Sequence, residues 1–162
     1  MKFLKTIRFD SSDDNVFDVA SAPEEWAVSG AFAFAGLEQR AVTGKLKQAF
    51  ANGFLGLTSF GRSTFAVVAE IDDDKLAAAE RRLATHFVDR HGAPNVEAAL
   101  PAAREEAAFV LDLCREPLIN TVFTVHRHFD ADGQIREAFR TIQAPSAELQ
   151  HARIWSVVED DG

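Results

Sequence analysis

His126 and His128, two residues apart, with Arg136 and Arg140 following, are the residues of this chain best placed to do chemistry together. On a strand, positions i and i+2 share a face, which sets the two imidazoles roughly 7 Å apart at Cβ, close enough for one metal ion. Two ligands rarely hold a metal by themselves. If a hairpin places Arg136 opposite His128 and Arg140 further along the same face, the cluster repels a cation and suits a carboxylate or phosphate. The plain reading is a solvated polar face, and the functional alternative is an anion-binding strand face made of His126, His128, Arg136 and Arg140, with no metal and no cofactor.

A second candidate is the segment Phe50–Phe65, FANGFLGLTSFGRSTF, with four phenylalanines, two leucines and three glycines. Loops are normally polar, so one this apolar is either packed under something or is itself a contact surface. Gly53, Gly56 and Gly61 with Arg62-Ser63-Thr64 look at first like a phosphate cradle. Such cradles run from strand to helix, so that the positive end of the dipole faces the anion. Here the order is helix, loop, strand, and the nearby helix end is the negative one. The remaining readings are a hydrophobic lid over the core and an interface in which Phe54, Leu57, Phe60 and Arg62 meet a second copy or a partner protein. Exposure of these side chains separates the two.

Other reactive residue types fit structural roles. Cys114 completes an apolar helical stripe at a helix C-terminus, where a thiol is filler rather than nucleophile. His86 and His91 lie five residues apart and do not share a helix face well, and His91 before Gly92 reads as a C-terminal cap. His151 sits in a loop without context. Glu24-Glu25 and Glu105-Glu106 are sequence neighbours, which diverge by about 100° on a helix and make no acid–base pair. Glu137 facing Arg127 reads as a structural pair.

The elements that position these residues follow from periodicity. Phe3–Phe9 alternates as a strand, Val16–Val19 reads as a short returning strand, and Trp26–Ala35 alternates bulky residues with alanines as a longer one. A flat alanine face of that kind lets another element approach closely. Leu37–Asn52 has helical spacing and a stop at Asn52-Gly53. Phe65–Ile71 is a β-branched strand. Asp72–Asp74 cap a helix that runs to His91 with Leu76, Leu83 and Phe87 inward. Val96 to Cys114 forms another helix, in which Pro101 clashes with the carbonyl of Glu97 and predicts a kink or a fresh start. Ile119–Phe129 and Gln134–Ile142 form a hairpin around Asp130–Gly133. The register that keeps apolar against apolar pairs Phe129 with Ile135, Arg127 with Glu137 and Val125 with Phe139. Arg153–Val158 is a last strand.

Composition sets the outer limits. At 162 residues and 47% apolar the chain suits a single domain, 1–162, of ordinary globular type. A formal net charge of −8 disfavours nucleic-acid binding, which asks for a clustered basic face. One cysteine fits a reducing compartment, and neither a signal peptide nor a membrane anchor is legible, so the expected location is cytoplasmic. Fourteen phenylalanines and no tyrosine give dry aromatic packing without a phenol for acid–base work.

Trp26–Phe34 together with GKLKQAFANGFLGLTSFGRST, Gly44–Thr64, resembles short uncharacterised proteins of alphaproteobacteria grouped as a family of unknown function. The resemblance implies no activity, cofactor or residue role. The expected fold is α+β: a mainly antiparallel sheet of about five to seven strands with three helices packed on one face. The expected function is association, as a homodimer or accessory subunit. The alternative is an anionic-ligand binding protein or enzyme using the histidine–arginine strand face.

Overall fold

A computed structural model describes residues 1–142, so the strand expected at Arg153–Val158 and His151 lie outside the described residues. The fold is α+β, with seven antiparallel strands in a curled sheet and three longer helices. The strands are β1 (Lys2–Ile7), β2 (Trp26–Val28), β3 (Phe54–Gly56), β4 (Arg62–Ser63), β5 (Phe65–Glu70), β6 (Val122–Phe129) and β7 (Ile135–Ile142). Their order, β4-β3-β2-β1-β5-β6-β7, puts the N-terminal strand at the centre with one meander on each side. The helices are a short α1 (Ser12–Val16), then α2 (Gly44–Asn52), α3 (Asp73–Arg90) and α4 (Val96–Leu113). The main core gathers Phe3, Val28, Phe54, Val68 and Phe123 from the sheet with Leu83, Phe87, Leu100 and Val110 from α3 and α4.

The hairpin has the expected register: Phe129 faces Ile135, Arg127 faces Glu137, and Val125 faces Phe139. Gly133 takes φ 77°, and the N–H of Asp130 bonds the carbonyl of Gln134 at 2.9 Å to close the loop. Helix α3 begins as its sequence says, with the Asp72 carboxylate accepting the N–H of Lys75 at 2.8 Å, and ends at His91. Helix α4 runs unbroken through Pro101, so no fresh helix starts there. Only the bond to the Glu97 carbonyl is forfeited, one turn in from the Asn95 cap.

Three expectations for the first half are corrected. The strand from Trp26 to Ala35 stops at Val28, and Gly30 at φ 81° turns the chain into a 3-10 helix, Ala31–Phe34. A period of two in Phe32 and Phe34 is then not a strand face. Phe32 joins the main core, while Phe34 forms a second cluster with Val42 and Phe50. The element that approaches closely is a side chain: a Cβ on Gly30 would stand 2.6 Å from Arg62 Nη1. The helix expected from Leu37 begins only at Gly44, after a 3-10 turn at Gln39–Ala41, because Gly36 and Gly44 take φ 82° and 60° and break the regular backbone. Val16–Val19 is no strand. Residues 12–16 are helical, and Asp13 is buried to accept the Thr64 hydroxyl at 2.7 Å.

The curl of the sheet brings β6 and β7 near the ends of β2 and β3, and a buried arginine fastens them. Arg127 pairs with Glu137 at 2.7 Å and donates to the carbonyls of Phe50 and Gly53, both at 2.9 Å, and of Ser29. It thus serves the negative C-terminal end of α2, whose last carbonyls lack helical partners.

Candidate functional site

The Phe50–Phe65 segment folds inward. Phe54 and Leu57 are buried in the main core, and Arg62 is buried with its guanidinium over the Phe34 ring at 4.7 Å. Arg62 donates to the carbonyls of Gly53 and Gly30 at 3.1 and 3.2 Å. Burial, and then the neighbouring charge of Arg127, pull its pKa down to about 9, which leaves it charged at neutral pH. Three of the four residues expected at an interface are therefore covered by this chain itself. Phe60 alone is half-exposed.

The turn between β3 and β4 does hold an anion, and the anion is the chain's own. The buried Glu25 carboxylate accepts the N–H groups of Ala22, Thr58 and Ser59 at 2.7, 2.9 and 2.7 Å, and the Ser59 hydroxyl at 2.8 Å. Gly56 is required by that approach: a Cβ there would lie 2.5 Å from Glu25 Oε1. The bonded turn delivers Phe60 at φ 55°, a left-handed backbone that a bulky residue adopts only under constraint.

Phe60 then lies flat on His86 of α3, ring centroids 3.9 Å apart and planes 4° from parallel. Phe32 and His91 stand edge-on to the same cluster, with His86 to His91 at 5.1 Å and Phe32 to His91 at 5.2 Å. Beside the stack an open groove of 920 Å³ runs along α3, lined by Ser59, Phe60, Arg81, Arg82, His86 and Arg90, with Asp89 the single carboxylate. Helical spacing explains the lining. Ala79, Leu83 and Phe87 point into the core, and the row flanking that stripe carries Arg82, His86 and Arg90 at i, i+4 and i+8, one above the other, with His86 half-buried at its edge. Among the described residues none of the guanidiniums of Arg81, Arg82 and Arg90 has an ion-pair partner. Burial, then His91 and Arg90, push the His86 imidazole below its ordinary range, so it is neutral at pH 7. The groove thus presents three unpaired cations, a neutral imidazole and an aromatic floor. That combination can seat an anion.

The histidine–arginine face of the hairpin is arranged as its spacing implied. His128 faces Arg136, Arg140 faces Thr124 on the same side, and both imidazoles are exposed with ring centroids 6.3 Å apart. Arg136 spends its charge on Asp130 at 2.8 Å. His126 borders two smaller hollows, one of 230 Å³ shared with His128 and one of 460 Å³ shared with Arg140. Among the described residues no group of three histidine, cysteine or acidic side chains could hold a metal. Cys114 is fully buried and its thiol is pushed up to about 12, chiefly by burial.

Sequence reasoning missed Arg81, Arg82, Arg90 and Glu25. Nothing local in the sequence signals that Phe60 lands beside these arginines. No helix among the described residues is long and apolar enough to cross a membrane. Neither a curated protein nor a solved structure matches the chain. One family model does, over residues 1–160, and the chain belongs to that family of unknown function, DUF6505.

Proposed function

We propose that this protein is a binding domain that holds a small anionic molecule, a carboxylate or phosphate, in the α3 groove. The observation that carries this reading is the constrained Phe60 ring laid on His86 between unpaired arginines. Strained backbone concentrates where function demands it. Guanidiniums suit carboxylate and phosphate because their fork of N–H donors matches those oxygens. The groove lies along the side of α3, so the dipole's partial negative charge, confined to the last turn, is outweighed by three full positive ones. The anionic ligand expected on the hairpin is thereby moved to another face.

Thermal-shift screening of anionic metabolites tests this. A hit should stabilise the wild type, should lose its effect in Arg81→Ala/Arg82→Ala/Arg90→Ala, and should keep it in His126→Ala/His128→Ala. The opposite pattern would place the ligand on the hairpin and end this assignment.

Association with a second copy or a partner protein is the second reading. Leu118 and Ile119, at 79% and 45% exposure, are the side chains in its favour. Light scattering on the wild type and on Leu118→Asp decides it, and a wild type that stays monomeric at all concentrations removes the homodimer.

A further inference from the structure

Resting on the groove as an anion site, we infer that His86 makes anion capture proton-coupled: a bound anion draws a proton onto His86, and binding tightens as pH falls. The geometry is a row of three. Arg82, His86 and Arg90 follow one another at i, i+4 and i+8, so the imidazole sits one helical turn from a guanidinium on either side. In the empty groove like charges at that spacing disfavour a third cation, and the half-buried ring stays neutral. An anion between the guanidiniums reverses the local field and favours the protonated ring. The added proton supplies a further charged N–H donor and sets an imidazolium flat on Phe60, where the ring face attracts a cation.

Charges face His86 from several elements. Arg82, Asp89 and Arg90 come from α3, His91 from its cap and Arg62 from β4. Phe32 and Phe60 bring uncharged rings. Glu25, beneath the turn, is held away by Ala22, Thr58 and Ser59. Cations outnumber Asp89, the carboxylate whose charge opposes theirs at the ring, so the empty groove resists protonation and a filled one invites it. Because coupling is reciprocal, a higher proton affinity with anion bound means a higher anion affinity with His86 protonated. Affinity is then constant well above the midpoint of the bound form, rises as pH drops through it, and levels off below the midpoint of the free form.

Sulfate is the probe, since it stays doubly charged from about pH 5.5 to about 8.5, the range in which only histidine side chains ordinarily titrate. His86 is followed by imidazole NMR in the full-length chain, with sulfate against chloride at matched ionic strength. The expected result is a midpoint raised by about one unit, equivalent to about tenfold tighter sulfate at the acid end. His86→Phe, which keeps a ring on Phe60, should leave weaker, pH-independent binding, and His91→Gln should keep the coupling. Sulfate binding in the groove with one affinity across the range would overturn the coupling while leaving the anion site standing. So would coupling that survives His86→Phe or vanishes in His91→Gln. No shift of α3 resonances at any pH would remove the anion site and the coupling together. The wild-type titration alone decides if a variant fails to fold.

Discussion

Two buried arginines sit close enough to share the Gly53 carbonyl, yet replacing each by methionine should have very different consequences. Arg127 is 1% exposed, and its Nε holds Glu137 at 2.7 Å. Arg127→Met strands that carboxylate and leaves the carbonyls of Phe50 and Ser29 without their side-chain donor, while Gly53 keeps Arg62. Each buried acceptor left unmet costs about 1–3 kcal/mol, and breaking a buried ion pair from one side about 3–5 kcal/mol. These overlap, because Glu137 is partly solvated and retains the Ser29 hydroxyl, so the expected loss is about 4–5 kcal/mol in total.

Arg62 has no carboxylate in contact. Arg62→Met leaves the Gly30 carbonyl with only the long 3.4 Å bond from the Ala33 N–H, while Gly53 keeps Arg127. Against that loss, an uncompensated buried cation disappears, and its repulsion of Arg127 with it. Methionine keeps a contact with the Phe34 ring in place of the cation–π one. The net change should be within about 1 kcal/mol of zero. Urea unfolding measures both: with a slope of about 2 kcal/mol/M, Arg127→Met should lower the midpoint by about 2 M and Arg62→Met by less than about 0.5 M. Two variants within about 1 kcal/mol of each other, or Arg62→Met the more damaging, would refute the reasoning that the carboxylate and the orphaned carbonyls set the difference.

Gly56→Ala should cost about 2–3 kcal/mol in thermal unfolding, because its Cβ would lie 2.5 Å from Glu25 Oε1 and 3.2 Å from Ser21 Cβ. Gly92→Ala, open to solvent at φ 78°, should cost only the left-handed penalty of about 1 kcal/mol. Glu106→Gln should stabilise the protein at neutral pH. Burial, then Glu137 and Glu105, raise the Glu106 carboxyl above its ordinary 4.5, so the folded state bears a penalty for the charged form that grows as pH rises from there. At about pH 4 both states bind the proton and the gain should vanish, which urea midpoints at the two pH values check.

The parts of the fold legible in the sequence are those set by local contacts. The hairpin register followed from matching Phe129 with Ile135, and α3 from Asp72 and the Leu83–Phe87 stripe, because caps and neighbouring side chains act within a few residues. Trp26–Ala35 misled because alternation survives in a 3-10 helix when the two phenylalanines serve different clusters, and the strand ends at the left-handed backbone of Gly30, which lies against Arg62 and Leu55. Composition singles out the segment that holds Phe54, Leu57 and Arg62 but cannot tell an apolar lid from an apolar patch. The groove was invisible for a related reason. Phe60 and His86 are far apart in sequence, and their stacking depends on the Glu25 carboxylate that shapes the turn between them.

Stability alone does not account for what that turn produces. Phe54 and Leu57 show how this segment buries an apolar side chain when burial is the purpose. Phe60 instead takes a left-handed backbone, in a turn held by three hydrogen bonds to Glu25 at its base, and leaves its ring half-exposed. Beside it, a chain of net charge −8 places on one helix three guanidiniums that have no ion-pair partner among the described residues, with a single aspartate among them. Like charges one or two turns apart weaken an isolated helix rather than strengthen it. An anion arriving in the groove converts that repulsion into attraction, and the same anion gives the half-exposed aromatic stack something to hold. The strain at Phe60 and the surplus charge on α3 therefore have one explanation in common, an anion seated between them.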